Sequence, residues 1–113
     1  MIKKKQKDYW NGKCAVTGIE TQLLLRASHT KPWSESSPQE KVDVFNGFLL
    51  SPVYDAAFDS NLISFEDCGK IIISPVLDCN DVVALGLKST DRLRSIHPKH
   101  LPYLKLHRAK LRK

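Results

Sequence analysis

Apolar positions along this chain fall into short runs bounded by glycine, proline and small polar residues, which predicts short strands and short helices. The clearest pair of runs, 62–65 and 70–74, flanks an acidic, glycine-ended segment, 66–69. Two β-rich runs around such a four-residue connection are typical of a β-hairpin. We therefore predict a hairpin in the second half of the chain.

The first half of the chain contains further strand signals. Residues 14–16 and 23–29 form apolar runs that predict strands, and Pro32 closes the second one because proline cannot continue a ladder. The run 42–50 resumes the apolar pattern around Asn46-Gly47, which we interpret as a turn dipeptide. This half therefore predicts a second small sheet.

Helix signals lie between these runs. Ser51 followed by Pro52 is a helix start, with serine at the N-cap and proline at the first helical position, and Asn61 lies just past the expected end. Pro98 starts a C-terminal helix with a partial stripe of leucines among basic residues. Weaker signals indicate a frayed or helical lead-in at 1–7, a surface loop or one short helical turn at 34–41, and a short helix at 80–85.

Length and composition fit one small soluble domain. The 113 residues suffice for a modest core, and 42% hydrophobic with 27% charged residues argues against disorder. No apolar run could span a membrane, and the start MIKKKQKDYW lacks the apolar segment of a signal peptide, so we expect a cytoplasmic protein. The mixture of elements predicts an α+β fold in a single domain, residues 1–113.

Charge and cysteine content narrow the partners. The formal charge of +6 concentrates at the two ends, within 3–7 and 105–113, which fits either solvated tails or contacts with a polyanion. The three cysteines lack the paired Cys-x-x-Cys spacing of a zinc ribbon. We expect free thiols in a reducing compartment and no disulfide framework.

The stretch 24–59 collects residue types that phosphodiester cleavage requires. His29 can take a proton from water near neutral pH. Asp55 and Asp59 are four residues apart, so on a helix their carboxylates share one face, where they suit a hard divalent cation. A structural histidine and a solvated acidic face are the alternative interpretations, since neither signal is specific by itself.

The combination of these residues is more specific. The segments RASHTKPW and NGFLLSPVYDAAFD resemble the HNH endonuclease family of the His-Me finger superfamily, in its restriction-endonuclease-like branch. The resemblance covers roughly Cys14 to Phe65. It implies a ββα-metal core of two strands and a helix, here with an additional β-hairpin and a basic C-terminal helix at 98–113.

Transferred to this sequence, the resemblance implies a role for each matching residue. His29 would be the general base, Asn46 would hold the loop beside it, and Asp55 and Asp59 would bind a divalent metal, Mg²⁺ or Mn²⁺. The products would carry 5′-phosphate and 3′-hydroxyl ends. The sequence departs from the family at Ser28, where many members have a ligating Asp or His. It also lacks two Cys-x-x-Cys pairs, so no structural zinc is expected.

Basic side chains near the stretch and at the C-terminus are candidate DNA contacts: Arg26, Lys31, Lys105 and Arg108. Strand alternation places Arg26 on the face opposite His29, so a structural salt bridge is its alternative role. We expect Trp33 in the core and Asp43 in a local cap or pair. The three C-terminal histidines are expected to be solvated or to contact phosphate; they are residues 97, 100 and 107.

Taken together, these observations predict a metal-dependent endonuclease that acts on double-stranded DNA, within a restriction-modification system. Two alternatives remain open: a non-catalytic nucleic-acid-binding module with the same fold, and a small basic protein-interaction domain. No recognition helix is evident in the sequence. Specific cutting would therefore require a homodimer or a fused or partner recognition domain.

Overall fold

The computed structural model of the chain describes residues 2–113, so Met1 of the predicted helical lead-in lies outside the described residues. Helices surround two small antiparallel sheets, which confirms the predicted α+β class. In chain order they are α1 (Ile2–Tyr9), β1 (Arg26–His29), α2 (Pro38–Lys41), β2 (Gly47–Leu50), α3 (Pro52–Asp59), β3 (Ile63–Phe65), β4 (Ile71–Ile73), α4 (Cys79–Leu85) and α5 (Leu101–Ala109). No helix among residues 2–113 is long and apolar enough to cross a membrane.

The strands β1 and β2 form an antiparallel pair, with Arg26 opposite Leu50 and His29 opposite Gly47. All four residues of β2 are buried, because α1 packs against this pair of strands while α3 packs against β1. Gly47 is therefore a strand residue and the Asn46-Gly47 turn interpretation is wrong. The two strands and α3 make up the ββα arrangement that the resemblance implies.

The helix α3 begins where the sequence predicts, with Pro52 at its first position. The serine at the N-cap does not cap with its side chain, however. The Ser51 hydroxyl accepts a hydrogen bond from the Cys14 thiol at 3.6 Å, while the Ser51 carbonyl accepts one from Asp55 N at 2.9 Å. The start of α3 is thus tied to the N-terminal part of the chain.

The predicted strand at 14–16 is wrong, because this segment is a turn around a buried sulfur. Cys14 Sγ accepts hydrogen bonds from the backbone N–H groups of Val16 at 3.5 Å and Thr17 at 3.4 Å. It accepts a third from Ser51 N at 3.3 Å. Ala15 N does donate to Leu49 O of β2 at 2.7 Å, but the sulfur binds the Val16 and Thr17 amides, so the segment turns after this single bond and forms no ladder.

The strand predicted from residue 23 begins later, at Arg26, after a short 3-10 turn at Gln22–Leu24. Of the three leucines before it, Leu25 is fully buried, whereas Leu23 is 86% exposed. The N–H groups of Leu24 and Leu25 donate to Thr21 O at 2.9 Å and Gln22 O at 3.2 Å, so this run closes a turn instead of pairing with a strand.

The structure confirms the hairpin predicted in the second half of the chain. Strands β3 and β4 pair antiparallel, and Gly69, with φ of +91°, closes the turn by donating its N–H to Glu66 O at 2.8 Å. The predicted helix near 80–85 is α4, and Gly86 ends it in the left-handed conformation with φ of +79°. Helix α5 packs on β3.

The prediction that the C-terminal histidines are solvated is wrong for two of them. His100 is fully buried, with its ring 5.0 Å from that of Phe48, and His107 is 4% exposed and stacks on Phe58 at 3.8 Å. His100 lies directly before α5 and is followed at helical spacing by Leu104 and His107, so the three buried side chains form one face at 100, 104 and 107, with Leu104 as its aliphatic member. The partial leucine stripe is completed by histidine rings.

Candidate active site

The main candidate site is a pocket of about 350 Å³ between the end of β1 and the outer face of α3. Three of the residues implied by the resemblance, His29, Asp55 and Asp59, line this pocket together. Other lining residues include Ser28, Thr30, Trp33, Asn61 and His107. The structure therefore brings the candidate base and both candidate metal ligands to one cavity.

One hydrogen bond determines which ring nitrogen of His29 carries the hydrogen. Its Nε2 atom lies 3.1 Å from the carbonyl oxygen of Lys41, the last residue of α2. A carbonyl oxygen can only accept, so Nε2 carries the hydrogen in the neutral ring. The lone pair is then on Nδ1, which is the arrangement a general base needs.

Asn46 is fully buried and holds the loop between β1 and β2 closed. Its Oδ1 accepts from Lys31 N at 2.8 Å, and its Nδ2 donates to Glu40 O at 3.0 Å and to Ser36 Oγ at 3.3 Å. The implied loop-holding position agrees with these contacts. Asn46 acts on His29 indirectly. Its Nδ2 bonds to the carbonyl of Glu40, and the next carbonyl along α2, that of Lys41, contacts the imidazole ring.

The two aspartates of α3 lie one helical turn apart on the wall of the pocket. Asp55 is half-buried and Asp59 is exposed. Burial raises the pKa of the Asp55 carboxyl, and the negative charge of Asp59 raises it further, while the Ser28 hydroxyl and the Arg26 charge lower it. A carboxylate whose ionisation is disfavoured by a second carboxylate one helical turn away is suited to a cation shared between the two.

The donor set beyond this pair is sparse. Among residues 2–113 no three His, Cys, Asp or Glu side chains are grouped closely enough to hold one metal ion. The buried Ser28 hydroxyl lies close enough to Asp55 to lower the pKa of its carboxyl, but it makes no hydrogen bond of good geometry with any of the described residues. Magnesium commonly binds one or two protein carboxylates and completes its shell with water and phosphate oxygens, so the residues present fit this cation.

The four candidate DNA contacts are in different situations. Arg26 is exposed and donates from Nη1 to the carbonyl oxygens of Leu23 and Leu25, both at 3.1 Å. Lys31 pairs with Glu40 at 2.9 Å, and Arg108 pairs with Asp67 at 2.8 Å. Lys105 is exposed on α5. Arg26 and Lys105 are thus the two without an ion pair in the described residues, and all four remain predictions as DNA contacts.

The prediction that Trp33 packs in the core is wrong. The residue follows Pro32 in a short 3-10 turn and is 57% exposed at the rim of the pocket. Its ring meets the His29 ring edge-on at 5.5 Å, and Lys41 Nζ lies 4.5 Å above it. Asp43 does pair locally, accepting from Phe45 N at 2.9 Å, and it also accepts from Tyr103 Oη at 2.8 Å.

Sequence reasoning missed Asn61, His107 and the Lys41 carbonyl as parts of the site. Asn61 lines the pocket from just beyond α3, with a positive φ of 62°. His107 contributes a ring edge while its two nitrogens bond to Ser64 Oγ and Phe58 O, both at 2.8 Å. An asparagine after a helix end is a recognisable signal, whereas a backbone carbonyl and a distant helix leave none in the sequence.

Comparison with known proteins agrees with this geometry. The sequence pattern described as HNH endonuclease matches residues 14–66. This region, a little under half of the chain, is therefore similar to the HNH endonuclease family. A search of curated proteins finds no match.

The solved structures include a similar fold, the modification dependent TagI restriction endonuclease. The similarity has a TM-score of 0.64 at 24% sequence identity and covers 97% of this chain. It covers 37% of the TagI chain, so the present chain corresponds to about a third of that protein. This likeness confirms the α+β, ββα-metal fold.

Proposed function

We propose that this protein is a metal-dependent DNA endonuclease in which His29 is the general base. One observation carries the proposal: a single pocket holds two carboxylates on α3 and a histidine whose Nδ1 has no hydrogen-bond partner among residues 2–113. A base for water and oxygen ligands for a divalent cation are the two components that metal-assisted phosphodiester hydrolysis needs.

The chain's residues divide the reaction between them. His29 takes a proton from water at Nδ1, and its Nε2–H stays on the Lys41 carbonyl, which fixes the ring while the charge develops. Asp55 and Asp59 would hold Mg²⁺ or Mn²⁺. A cation bound there would supply charge neutralisation for the phosphate and for the departing 3′ oxygen. The products are then 5′-phosphate and 3′-hydroxyl ends.

The test of the proposal is supercoiled-plasmid nicking with Mg²⁺ or Mn²⁺ by the protein and by His29→Ala. We expect the substitution to slow nicking by about 100-fold or more, because positioned acid-base groups contribute roughly 10²–10⁴-fold. His97→Ala is the control, since His97 is half-buried outside the pocket. Nicking by His29→Ala at the unsubstituted rate would rule out the proposed base.

We propose that residues 2–113 act as one cleaving domain, with the nuclease core at 14–65 and the basic helix near 98–113. Sequence recognition would come from a second copy or from a fused or partner domain, since Arg26 and Lys31 can position a phosphate backbone but phosphate contacts do not read bases. Nicking without sequence preference by this chain, and preference gained with a partner, would support this division.

A further inference from the structure

The helix α2 is a single turn, Pro38–Lys41, yet it carries the carbonyl that binds His29 Nε2. One isolated turn of helix is unstable in water, because forming it fixes several backbone dihedrals for one hydrogen bond. The position of the Lys41 carbonyl therefore depends on the contacts that hold α2. Those contacts converge on one side chain, Glu40.

The Glu40 carboxylate caps the start of α2 and also binds the segment that follows β1. Its Oε1 accepts from Ser37 N at 2.8 Å, and Glu40 N donates to Ser37 Oγ at 3.2 Å, which together make a capping box at the start of α2. The same carboxylate binds Lys31 Nζ at 2.9 and 3.1 Å. Lys31 lies two residues after His29, so the end of β1 is fastened to α2 at this point.

The main chain of Glu40 completes the arrangement. Its carbonyl oxygen accepts from Asn46 Nδ2 at 3.0 Å, which ties α2 to the start of β2. The next carbonyl along the chain, that of Lys41, is the acceptor for His29. A shift of α2 caused by loss of the Glu40 carboxylate would move this acceptor away from the imidazole ring.

We infer that Glu40 is a positioning residue for the general base, acting on His29 through α2; this rests on the proposed function. The carboxylate does not line the pocket and has no part in the chemistry itself. Its contribution is to keep the Lys41 carbonyl at hydrogen-bonding distance from Nε2, which maintains both the ring orientation and the tautomer with Nδ1 free.

Two substitutions of Glu40 separate its role as acceptor for Ser37 N from its negative charge. Glu40→Ala removes the acceptor for Ser37 N and the partner of Lys31, whereas Glu40→Gln keeps an amide oxygen for Ser37 N and loses only the charge. Both variants release Lys31 from its ion pair, so any effect of a freed lysine on DNA binding is common to them. Glu35→Ala is the matched control, because Glu35 has a comparable ion pair, with Lys110 at 2.8 Å.

The measurement is the single-turnover nicking rate at saturating protein. We expect Glu40→Ala to lose about 10- to 100-fold, since small misplacements of a reacting group cost up to roughly 10²-fold. Glu40→Gln should recover most of that loss, and Glu35→Ala should match the unsubstituted chain. Equal rates for the Ala, Gln and unsubstituted chains would overturn the inference.

Two further readouts distinguish positioning from a general structural role. In the His29→Ala background, adding Glu40→Ala should slow nicking by less than about 3-fold, because the group it positions is already gone. By NMR, the hydrogen-bonded Nε2–H signal that disappears in His29→Ala should be weakened in Glu40→Ala and kept in Glu40→Gln. Additive losses, or an unchanged signal in Glu40→Ala, would contradict the inference.

The outcomes also separate this inference from the proposed function. If His29→Ala is inactive while Glu40→Ala nicks at the full rate, the nuclease proposal stands and the positioning role of Glu40 fails. If His29→Ala nicks at the full rate, the base assignment fails, whatever Glu40 does.

Discussion

At the level of single residues, hydrogen-bonding partners rather than residue types decide what each side chain of the site can do. His29 is available as a base because Lys41 O occupies its other nitrogen. His107 reaches the same pocket but has both ring nitrogens bonded, to Ser64 Oγ and Phe58 O, so its ring serves packing. Two histidines in one cavity therefore have different roles.

Gly47 is the residue whose replacement should distort the site most directly. A Cβ atom at this position would lie 2.3 Å from Ser28 O, in the strand that carries His29. Backbone must move to relieve such an overlap, so we expect Gly47→Ala to lower the free energy of unfolding by about 3 kcal/mol, the upper part of the overpacking range. Urea denaturation at neutral pH measures the change.

Gly86→Ala provides the comparison for Gly47→Ala. Gly86 has a φ of +79° and no atom within 4 Å of an added Cβ, so only backbone strain of about 1–2 kcal/mol opposes alanine. Gly47→Ala should also reduce nicking, and Gly86→Ala should not. A smaller loss of stability at Gly47 than at Gly86 would show that β1 and β2 can separate at low cost.

At the level of elements, the site depends on how α3 and the connection between β1 and β2 meet. Helix α3 presents Asp55 and Asp59 because its other face carries the buried Tyr54, Ala57 and Phe58. The connection 30–46 folds back over the end of β1 because the buried Asn46 bonds to three points of it. One element supplies the carboxylates and the other fixes the base.

Metal binding at α3 should be detectable as a change in stability. A ligand that binds only the folded state stabilises it by about 1.4 kcal/mol at ten times its dissociation constant, roughly 5 °C in Tm for a domain of this size. We expect Mn²⁺ to raise Tm, and Asp55→Asn to abolish most of that rise. Thermal unfolding followed by circular dichroism gives both values.

Asp81→Asn serves as the control for the metal experiment, because Asp81 is an exposed carboxylate in the first turn of α4. It should leave the Mn²⁺-dependent rise intact. If Mn²⁺ does not raise the Tm of the unsubstituted chain, even with DNA present, the result would argue against a cation at α3.

At the level of the whole molecule, the core includes a histidine that must remain neutral. His100 is fully buried among aromatic rings, its Nδ1 accepts from His97 N at 2.9 Å, and burial lowers its pKa to about 4, with the His97 charge acting in the same direction. Its ordinary pKa is 6.5, so between these values the unfolded chain binds a proton that the folded chain excludes.

The protein should therefore lose stability as pH falls from about 7 towards 4. The His100 contribution amounts to about 2 kcal/mol by pH 5, and it is regained as pH rises through 6.5. The measurement is the urea midpoint at pH 7.5, 6.0 and 5.0. His100→Asn keeps an acceptor for His97 N and should flatten the dependence; an unchanged pH dependence in that variant would exclude His100 as its source.

Sequence reasoning identified the hairpin β3–β4, the start of α3, the end of α4 and three of the residues that line the pocket, His29, Asp55 and Asp59. These features depend on local rules: strand and turn composition at 62–74, proline at the first position of α3, and carboxylates four residues apart on one helix face. A residue's neighbours along the chain suffice to state such rules, and the structure agrees with them.

The errors fall where long-range contacts override local preference. Cys14 binds amides of its own turn and of Ser51, so a strand-like run curls. Trp33 is exposed because the chain leaves the sheet before it. His100 is buried because α5 packs its histidine face on the core. Composition alone did not distinguish these outcomes.

The sequence by itself determined the fold class, the β3–β4 hairpin, the start of α3 and the residue types of the site, because these follow from periodicity, turn chemistry and motif. Only the tertiary structure decided how the site is held. His29 acquires its tautomer from a backbone carbonyl of Lys41, and that carbonyl is placed by Glu40 and Asn46. A carbonyl oxygen is present at every residue, so the sequence does not mark the one that binds the base; the folding of the 30–46 connection selects it.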